Sequence, residues 1–422
     1  MSKPEQLVIG VREEWGQESP YGLSPEDLRQ HLYLVGKSGT GKTTLLLNLI
    51  VQAIETGNGV GVIDPHGDLG EELLDLIPRR FIEKVVYFNP ADTEYPIGFN
   101  ILRTKAAPHL VASGIVSALK SIWRDSWGPR LEYILYAAIA ALLECENVSL
   151  LGLHRMLSDR QYRGWVVKQV KDPLVQSFWL HEFEGYERKF LQEAVAPIQN
   201  KVGQFLMSPI LRNILGQVRC TLDARFMMDD GRIFIANLSK GRLGEDKSNL
   251  LGALLVTQFQ LAAMTRADIP QAERRDFRLF VDEFQSFTSD SFAAILSEAR
   301  KYRLGLTLSH QYIEQLRPEI RQAVFGNVGS LVAFRVGRAD AEVLEREFGG
   351  AYPASRFVEL RNHETCNKML KNGEHHEPFV GRTLPVRRQR RSHRDTIVLR
   401  SRLKYGTPRI LVENRIRHWL HR

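Results

Sequence analysis

Short apolar runs bounded by glycine and polar residues recur in the first quarter of the chain. The runs in Leu32–Val35, Val60–Asp68 and Lys84–Pro90 have the length and composition of strands in a parallel sheet. The first run is followed by an apolar helical pattern from Thr44 to about Glu55. Strands alternating with helices predict an α/β fold with a mainly parallel sheet.

The pattern changes from about Thr104, where strand-like runs give way to helical stretches such as "RLEYILYAAIAALLECE". Strand patterning resumes at Arg232 and continues through apolar runs that end near Val281, Leu308 and Val336. An all-helical domain inserted into the sheet domain explains this order. We therefore expect a sheet domain of residues 1–103 and 224–356, an inserted all-α domain of 104–223, and a C-terminal tail of 357–422 in which "TPRILVENRIRHW" adds one strand.

The strongest local motif follows the first strand. The segment "GKSGTGKT" fits the phosphate-binding pattern G-x-x-x-x-G-K-[ST], and the strand before it and the helix after it exclude most chance glycine-rich turns. Its glycines let backbone N–H groups surround phosphate oxygens, its lysine reaches the β- and γ-phosphates, and its threonine ligates Mg²⁺. The predicted ATP-binding residues are Gly36, Lys37, Ser38, Gly39, Thr40, Gly41, Lys42, Thr43 and Thr44.

An acidic pair follows a later strand in "FRLFVDEFQSF". Ligand groups gather at the carboxyl ends of parallel strands, so Asp282 is predicted to hold Mg²⁺ with Thr43. Glu283 is predicted to polarise the attacking water. Acidic residues often follow strands, and the pair gains its significance from the phosphate-binding loop in the same chain. A second acid favours hydrolysis over transfer to a small acceptor.

Composition narrows the class of protein. The 422 residues include three widely separated cysteines, which indicate a reducing, cytoplasmic compartment rather than a disulfide framework. The longest apolar run, "YILYAAIAALL", is shorter than the ~20 residues that span a bilayer, so we expect no integral membrane segment. Residues 382–422 hold thirteen Lys or Arg and two Asp or Glu, so the net charge of +8 comes from this tail.

The order of these pieces resembles the HerA/FtsK superfamily of DNA-pumping ATPases. It comprises the P-loop, "VIDPHGD", "FNP", a helical insert, "FVDEFQSF" and a strand ending in glutamine. Within that superfamily the chain is most similar to the conjugative coupling proteins of type IV secretion systems, over about residues 28–350. The resemblance implies a RecA-like motor domain. Coupling proteins usually begin with transmembrane helices and HerA proteins with a small β-barrel, and neither is expected here.

The resemblance also assigns roles. Lys42 and Thr43 match the family's phosphate and metal residues, and Asp282 and Glu283 match its acidic pair. Gln311 matches the strand-end glutamine on the γ-phosphate side, although it could instead cap the strand. Arg300, eleven residues earlier, lies where coupling proteins place an arginine that reaches the neighbouring subunit's ATP. A solvated residue on an amphipathic helix is the alternative for Arg300, and Arg303 and Arg335 are the fallback candidates.

The function implied is an ATP-driven DNA translocase, a homo-hexameric ring with ATP between subunits. A relaxase, a secretion channel or a partner enzyme would be further partners. The alternative is a nucleotide-dependent switch or scaffold that gates a partner enzyme in a defence or mobile-element complex. For DNA phosphates the candidates are Lys240 and Arg242 in a loop, and Arg387 and Arg388 in the tail. Ordinary solvated charges explain both pairs equally well.

Overall fold

The computed structural model describes residues 6–386 and 391–420, and the apolar runs predicted as strands of the sheet domain form strands there. The strands are β1 (Leu7–Glu14), β2 (Gln17–Leu23), β3 (Leu32–Val35), β4 (Gly59–Asp64), β5 (Val85–Phe88), β6 (Ile233–Asn237), β7 (Phe277–Val281), β8 (Leu304–His310), β9 (Ser330–Ala333), β10 (Glu364–Lys368), β11 (Leu370–Lys371), β12 (Glu374–His375) and β13 (Phe379–Thr383).

One eleven-stranded sheet has the order β2-β1-β13-β10-β9-β3-β8-β7-β4-β6-β5. Neighbouring strands from β9 to β6 run parallel, whereas β2, β1, β13, β10 and β9 pair antiparallel. The predicted α/β fold with a mainly parallel sheet is therefore confirmed. The strands β11 and β12 form a separate two-stranded hairpin.

Burial on both faces explains the uninterrupted apolar runs of the central strands. Every residue of β3, β4, β7 and β8 is buried. A strand covered by helices on both sides has no solvent face to alternate with, so its sequence reads as a continuous run. The same burial leaves the strand ends as the natural positions for polar side chains.

The helices that connect and cover these strands are α1 (Pro25–Leu28), α2 (Lys42–Glu55), α3 (Asp68–Leu76), α4 (Pro108–Ile122), α5 (Pro129–Leu143), α6 (Leu151–Ser158), α7 (Arg160–Val167), α8 (Pro173–Ser177), α9 (Arg188–Met207), α10 (Pro209–Leu215), α11 (Ala224–Asp230), α12 (Lys240–Leu243), α13 (Glu245–Thr265), α14 (Phe292–Glu298), α15 (Pro318–Asn327), α16 (Arg338–Glu347), α17 (Ala354–Glu359), α18 (Arg394–Tyr405) and α19 (Arg409–Leu420). Residues Phe178–Phe183 form a π-helical segment, and short 3₁₀ turns include Phe284–Phe287 and Ala299–Tyr302.

The described residues divide into two compact units. The first contains the sheet and is built from Met1–Tyr87, Arg225–Ser239 and Arg266–Val398. The second is helical and is built from Phe88–Ala224, Lys240–Thr265 and Leu399–Arg422. These bounds differ from the predicted ones, because the long helix α13 and the C-terminal helices belong to the helical unit.

The predicted C-terminal tail needs correction. Strands β10 and β13 add antiparallel strands to the main sheet beside β9 and β1. The stretch "TPRILVENRIRHW", predicted as a strand, contains helix α19, whose Val412 and Ile416 are buried four residues apart. Sequence patterning missed β10 and β13 because each is five residues long, polar in part, and paired with strands distant in sequence.

One described helix, Glu245–Asp268, is long and apolar enough to cross a membrane by length and composition. Its mean hydropathy is 1.2, and 78% of the qualifying window is buried within the protein. Helix α13 packs against α4, where a Cβ on Gly114 would come within 2.7 Å of Thr257. A buried core helix passes the same test, so this helix is weak evidence for a membrane span.

Candidate functional site

The P-loop connects β3 to α2 in the sheet-containing unit. Gly39 and Gly41 adopt φ of +75° and +114°, a backbone region that side-chain-bearing residues rarely occupy. A Cβ at Gly39 would meet no atom within 4 Å, so the loop is open on that side. Thr43 is exposed in the first turn of α2. The loop therefore offers glycine conformations and a helix N-terminus suited to phosphate oxygens.

Lys42 is buried, and no carboxylate of the described residues is in direct contact with its ammonium. Its Nζ donates to the carbonyl oxygens of Gly36 and Lys37, the latter at 3.0 Å. Burial lowers the pKa of Lys42, while the charges of Glu283 and Asp282 act in the opposite direction. A buried cation that relies on two carbonyls of its own loop is suited to an incoming polyphosphate. The residues present thus fit an ATP phosphate chain.

The strand order brings the acidic pair close to the P-loop. The parallel neighbours β3, β8, β7 and β4 all end at one edge of the sheet, with Val35 opposite His310 and Val281 opposite Leu308. Asp282 and Glu283 follow β7 directly and are both buried. Burial raises the pKa of Asp282 to about 6, with the Glu283 and Asp64 charges adding to the effect. The Thr43 hydroxyl and the Asp282 carboxylate are the kinds of oxygen ligand that could hold Mg²⁺ beside phosphates.

Gln311 follows β8 and meets the acidic pair. Its Nε2 donates to Oε1 of Glu283 at 2.7 Å. The other carboxylate oxygen, Oε2, accepts a hydrogen bond from Nε2 of Gln285 at 2.7 Å. Sequence reasoning anticipated Gln311 at this edge but missed Gln285, whose only signal is its position two residues after Glu283 in "DEFQSF".

Asp64 is a second residue that sequence reasoning passed over, although it lies within the quoted "VIDPHGD". It ends β4 fully buried, and its carboxylate accepts from the backbone N–H groups of His66 at 2.9 Å and Gly70 at 2.8 Å. Burial raises the pKa of Asp64. Its bonds shape the turn that starts α3, and its charge acts on Asp282. We infer that Asp64 does not contact the nucleotide directly.

A loop before β10 covers the other side of the P-loop. The backbone N–H of His363 donates to the carbonyl of Thr40 at 2.8 Å. A Cβ on Gly41 would lie 2.7 Å from Nδ1 of His363, so only glycine fits beneath this ring. Among the described residues, no cluster of three or more His, Cys, Asp or Glu side chains could hold a metal ion by itself.

Arg300 lies at the opposite edge of the sheet from Gln311. It precedes β8, whereas Gln311 follows it, so the seven-residue strand separates them by roughly 20 Å. Arg300 is exposed, makes no salt bridge to any described residue, and lines an open cleft of about 610 Å³ with Arg29 and Arg303. The fallback candidates are engaged: Arg303 Nε donates to the Gln271 carbonyl at 3.0 Å, and Arg335 donates to Asn362 Oδ1 at 3.0 Å.

The candidate DNA contacts are only partly described. Lys240 and Arg242 lie in the short helix α12 of the helical unit. Lys240 lies 3.4 Å from Glu245 Oε1, and Arg242 is exposed. Arg387 and Arg388 fall outside the described residues.

Replacing Asp282 with asparagine is expected to stabilise the ligand-free protein by roughly 2 kcal/mol at pH 7.5. The raised pKa, about 6 against an ordinary 3.8, means that the native state binds a proton that the unfolded chain has lost. Wild-type stability therefore falls as the pH rises from 4 to 6. Urea unfolding at pH 7.5 and pH 4 measures this, and the gain should vanish at pH 4. An equal gain at both values would contradict it.

Comparisons with known proteins bear on the family and the fold. A family model described as "Helicase HerA, central domain" matches residues 15–256. No curated protein matches the chain in sequence.

Solved structures show the fold. The conjugative coupling protein TrwB bound to a non-hydrolysable ATP analogue aligns with a TM-score of 0.64 at 16% identity, covering 92% of this chain and 91% of that one. TrwB with ADP and Mg²⁺ aligns at 0.62, also at 16% identity, with coverages of 92% and 91%. VirB4 of Thermoanaerobacter pseudethanolicus aligns at 0.55 and 14% identity, covering 92% and 98%. Likeness at such identities establishes the RecA-like P-loop fold.

Proposed function

The chain belongs to the HerA central-domain family, and from this premise we propose that it is a motor that hydrolyses ATP to move DNA through a ring of subunits. It is an ATP hydrolase of the P-loop type. The observation that carries the proposal is the meeting of Lys42, Asp282, Glu283 and Gln311 at one edge of the sheet. TrwB, similar in fold, has been solved with ATP analogues and with ADP and Mg²⁺, which supports the same nucleotide and metal here.

The residues divide the chemistry among them. The P-loop N–H groups and Lys42 would hold the phosphates, and Thr43 and Asp282 would hold Mg²⁺, which would supply positive charge beside them. Glu283 accepts a proton from the water that attacks the γ-phosphate. One N–H of the Gln311 amide donates a hydrogen bond to Glu283, and the other is available to donate to the γ-phosphate. Through these two hydrogen bonds, Gln311 links the γ-phosphate to Glu283, the general base.

The position of Arg300 supports the proposal of a ring. Its own subunit's nucleotide edge lies across the length of β8, so Arg300 serves a neighbour's ATP rather than its own. Each site then needs two subunits, and repeated head-to-tail contacts that close give a ring. We assign a homo-hexamer, with Lys240, Arg242, Arg387 and Arg388 as candidate contacts to DNA phosphates. The likeness to a conjugative coupling protein suggests a relaxase, a secretion channel or another enzyme as partner, in the cytoplasm.

DNA is expected to increase the ATPase rate severalfold, because a motor couples turnover to movement along its track. The measurement compares steady-state ATP hydrolysis with no DNA, single-stranded DNA and double-stranded DNA, using Lys42→Ala as the inactive control. Light scattering with a non-hydrolysable ATP analogue should show a hexamer. Stimulation should fall steeply with added salt if phosphates dominate the contact.

A protein that stays monomeric with the analogue and hydrolyses ATP equally with and without DNA would not be a translocase. That result would instead favour a nucleotide-dependent switch or scaffold that gates a partner enzyme in a defence or mobile-element complex. Loss of hydrolysis in Lys42→Ala would still hold in that case. The two functions share the nucleotide site and differ only in what the hydrolysis drives.

A further inference from the structure

Both carboxylate oxygens of Glu283 are held by glutamine amides. Gln311, at the end of β8, donates to Oε1, and Gln285, in the 3₁₀ turn after β7, donates to Oε2, each at 2.7 Å. The two donors approach from different parts of the chain. A carboxylate bonded at one oxygen can still rotate about its last torsion, whereas bonds at both oxygens fix its plane.

The observed orientation of the Gln285 amide has a cost in free energy. Its Oε1 is buried and has no hydrogen-bond partner among the described residues. Turning the amide over would place that oxygen against the Glu283 carboxylate and lose the donor. A buried acceptor without a partner is unfavourable, so the bond to the charged carboxylate must outweigh it. The Gln285 amide therefore donates to Glu283, although its own oxygen is left without a hydrogen bond.

The backbone of Glu283 also needs support. Its φ of +44° and ψ of +48° put it in the left-handed region, which is uncommon for residues other than glycine. This conformation turns the chain immediately after Asp282 and sets the direction of the Glu283 side chain. Residues in such conformations persist when the surroundings hold them. The Gln285 amide, only two residues away, supplies such a restraint.

We propose that Gln285 is a positioning residue for ATP hydrolysis, holding the Glu283 carboxylate in the plane in which it receives a proton from the attacking water. The inference rests on the proposed role of Glu283. In the step concerned, the water oxygen bonds to the γ-phosphorus as the bond from that phosphorus to the ADP oxygen breaks. One water proton passes to Glu283. In this role Gln285 acts through its bond to Glu283 and not on the nucleotide or the water.

The test is Gln285→Met, which keeps the length of the side chain and removes the amide. The kcat for ATP should fall about tenfold to a hundredfold, a part of what a general base contributes. The KM for ATP and the affinity for a non-hydrolysable analogue should stay within about threefold, because the phosphate-binding groups are untouched. The exposed Gln322→Met is the matched control and should leave all three values unchanged.

A double-mutant cycle separates positioning from a packing role. On a Glu283→Gln background, Gln285→Met should cause little further loss, since the residue acts only through Glu283. Gln285→Glu, of the same shape but without the donor, should be at least as slow as Gln285→Met.

An unchanged or increased kcat in Gln285→Met would overturn the inference, as would a full additional loss on the Glu283→Gln background. Failure of the proposed role of Glu283 is distinguishable from both results, because Glu283→Gln itself would then leave ATP turnover intact. Failure of DNA translocation alone would appear as ATP hydrolysis that DNA does not stimulate, with the effect of Gln285→Met unchanged.

Discussion

Replacing Glu283 with glutamine is expected to lower kcat for ATP by about 10²- to 10⁴-fold, the usual contribution of a positioned general base. Glutamine has nearly the same shape but accepts no proton from water at neutral pH. The P-loop and Asp282 remain, so ATP and Mg²⁺ should still bind. Single-turnover hydrolysis and equilibrium binding of a fluorescent ATP analogue measure the two effects separately.

The control is Glu319→Gln, the same substitution at an exposed position in the first turn of α15. It should hydrolyse ATP at the wild-type rate. The Glu283→Gln variant should also accumulate as the ATP-bound assembly, because it retains ATP binding and loses ATP turnover. A kcat within about tenfold of wild type would show that another group takes the proton, and would remove Glu283 from the mechanism.

Replacing Arg300 with alanine is expected to lower ATP turnover by about 10³-fold, the lower end of what an arginine supplied by a neighbour contributes. Arg300 is exposed at the amino end of β8, with no salt bridge to any described residue. Its charge is thus available to the phosphate of an adjacent subunit. Lys301→Ala, which removes the neighbouring exposed charge, is the matched control and should retain activity.

Mixing the inactive variants tests whether Arg300 acts across an interface. An Arg300→Ala subunit keeps its P-loop, and a Lys42→Ala subunit keeps its arginine, so an interface that combines them contains a complete site. ATPase activity should therefore appear on mixing and should peak at intermediate ratios. Absence of activity at every ratio would contradict action in trans. Full activity of Arg300→Ala alone would leave it an ordinary surface residue.

Local sequence patterns predicted much of the sheet-containing unit. The P-loop could be recognised because phosphate binding demands glycine, lysine and threonine at set spacings, and Asp282 because polar residues end buried strands. The hairpin of β1 and β2 was not anticipated. It turns through Trp15 and Gly16, both at positive φ, and only its pairing with β13, distant in sequence, shows that it belongs to the sheet.

The tertiary structure decided which side chains meet. Gln285 and Gln311 lie 26 positions apart, yet both donate to Glu283, a convergence that depends on β7 and β8 being adjacent. The length of β8, by contrast, puts Arg300 and Gln311 at opposite edges, although they are close in sequence.

The sequence by itself determined the nucleotide-binding chemistry and the class of fold. The residues of the P-loop motif are contiguous in the chain, and a buried strand can be recognised from its apolar composition. Strand order and the clamp on Glu283 depend on contacts between distant segments, which no local pattern encodes.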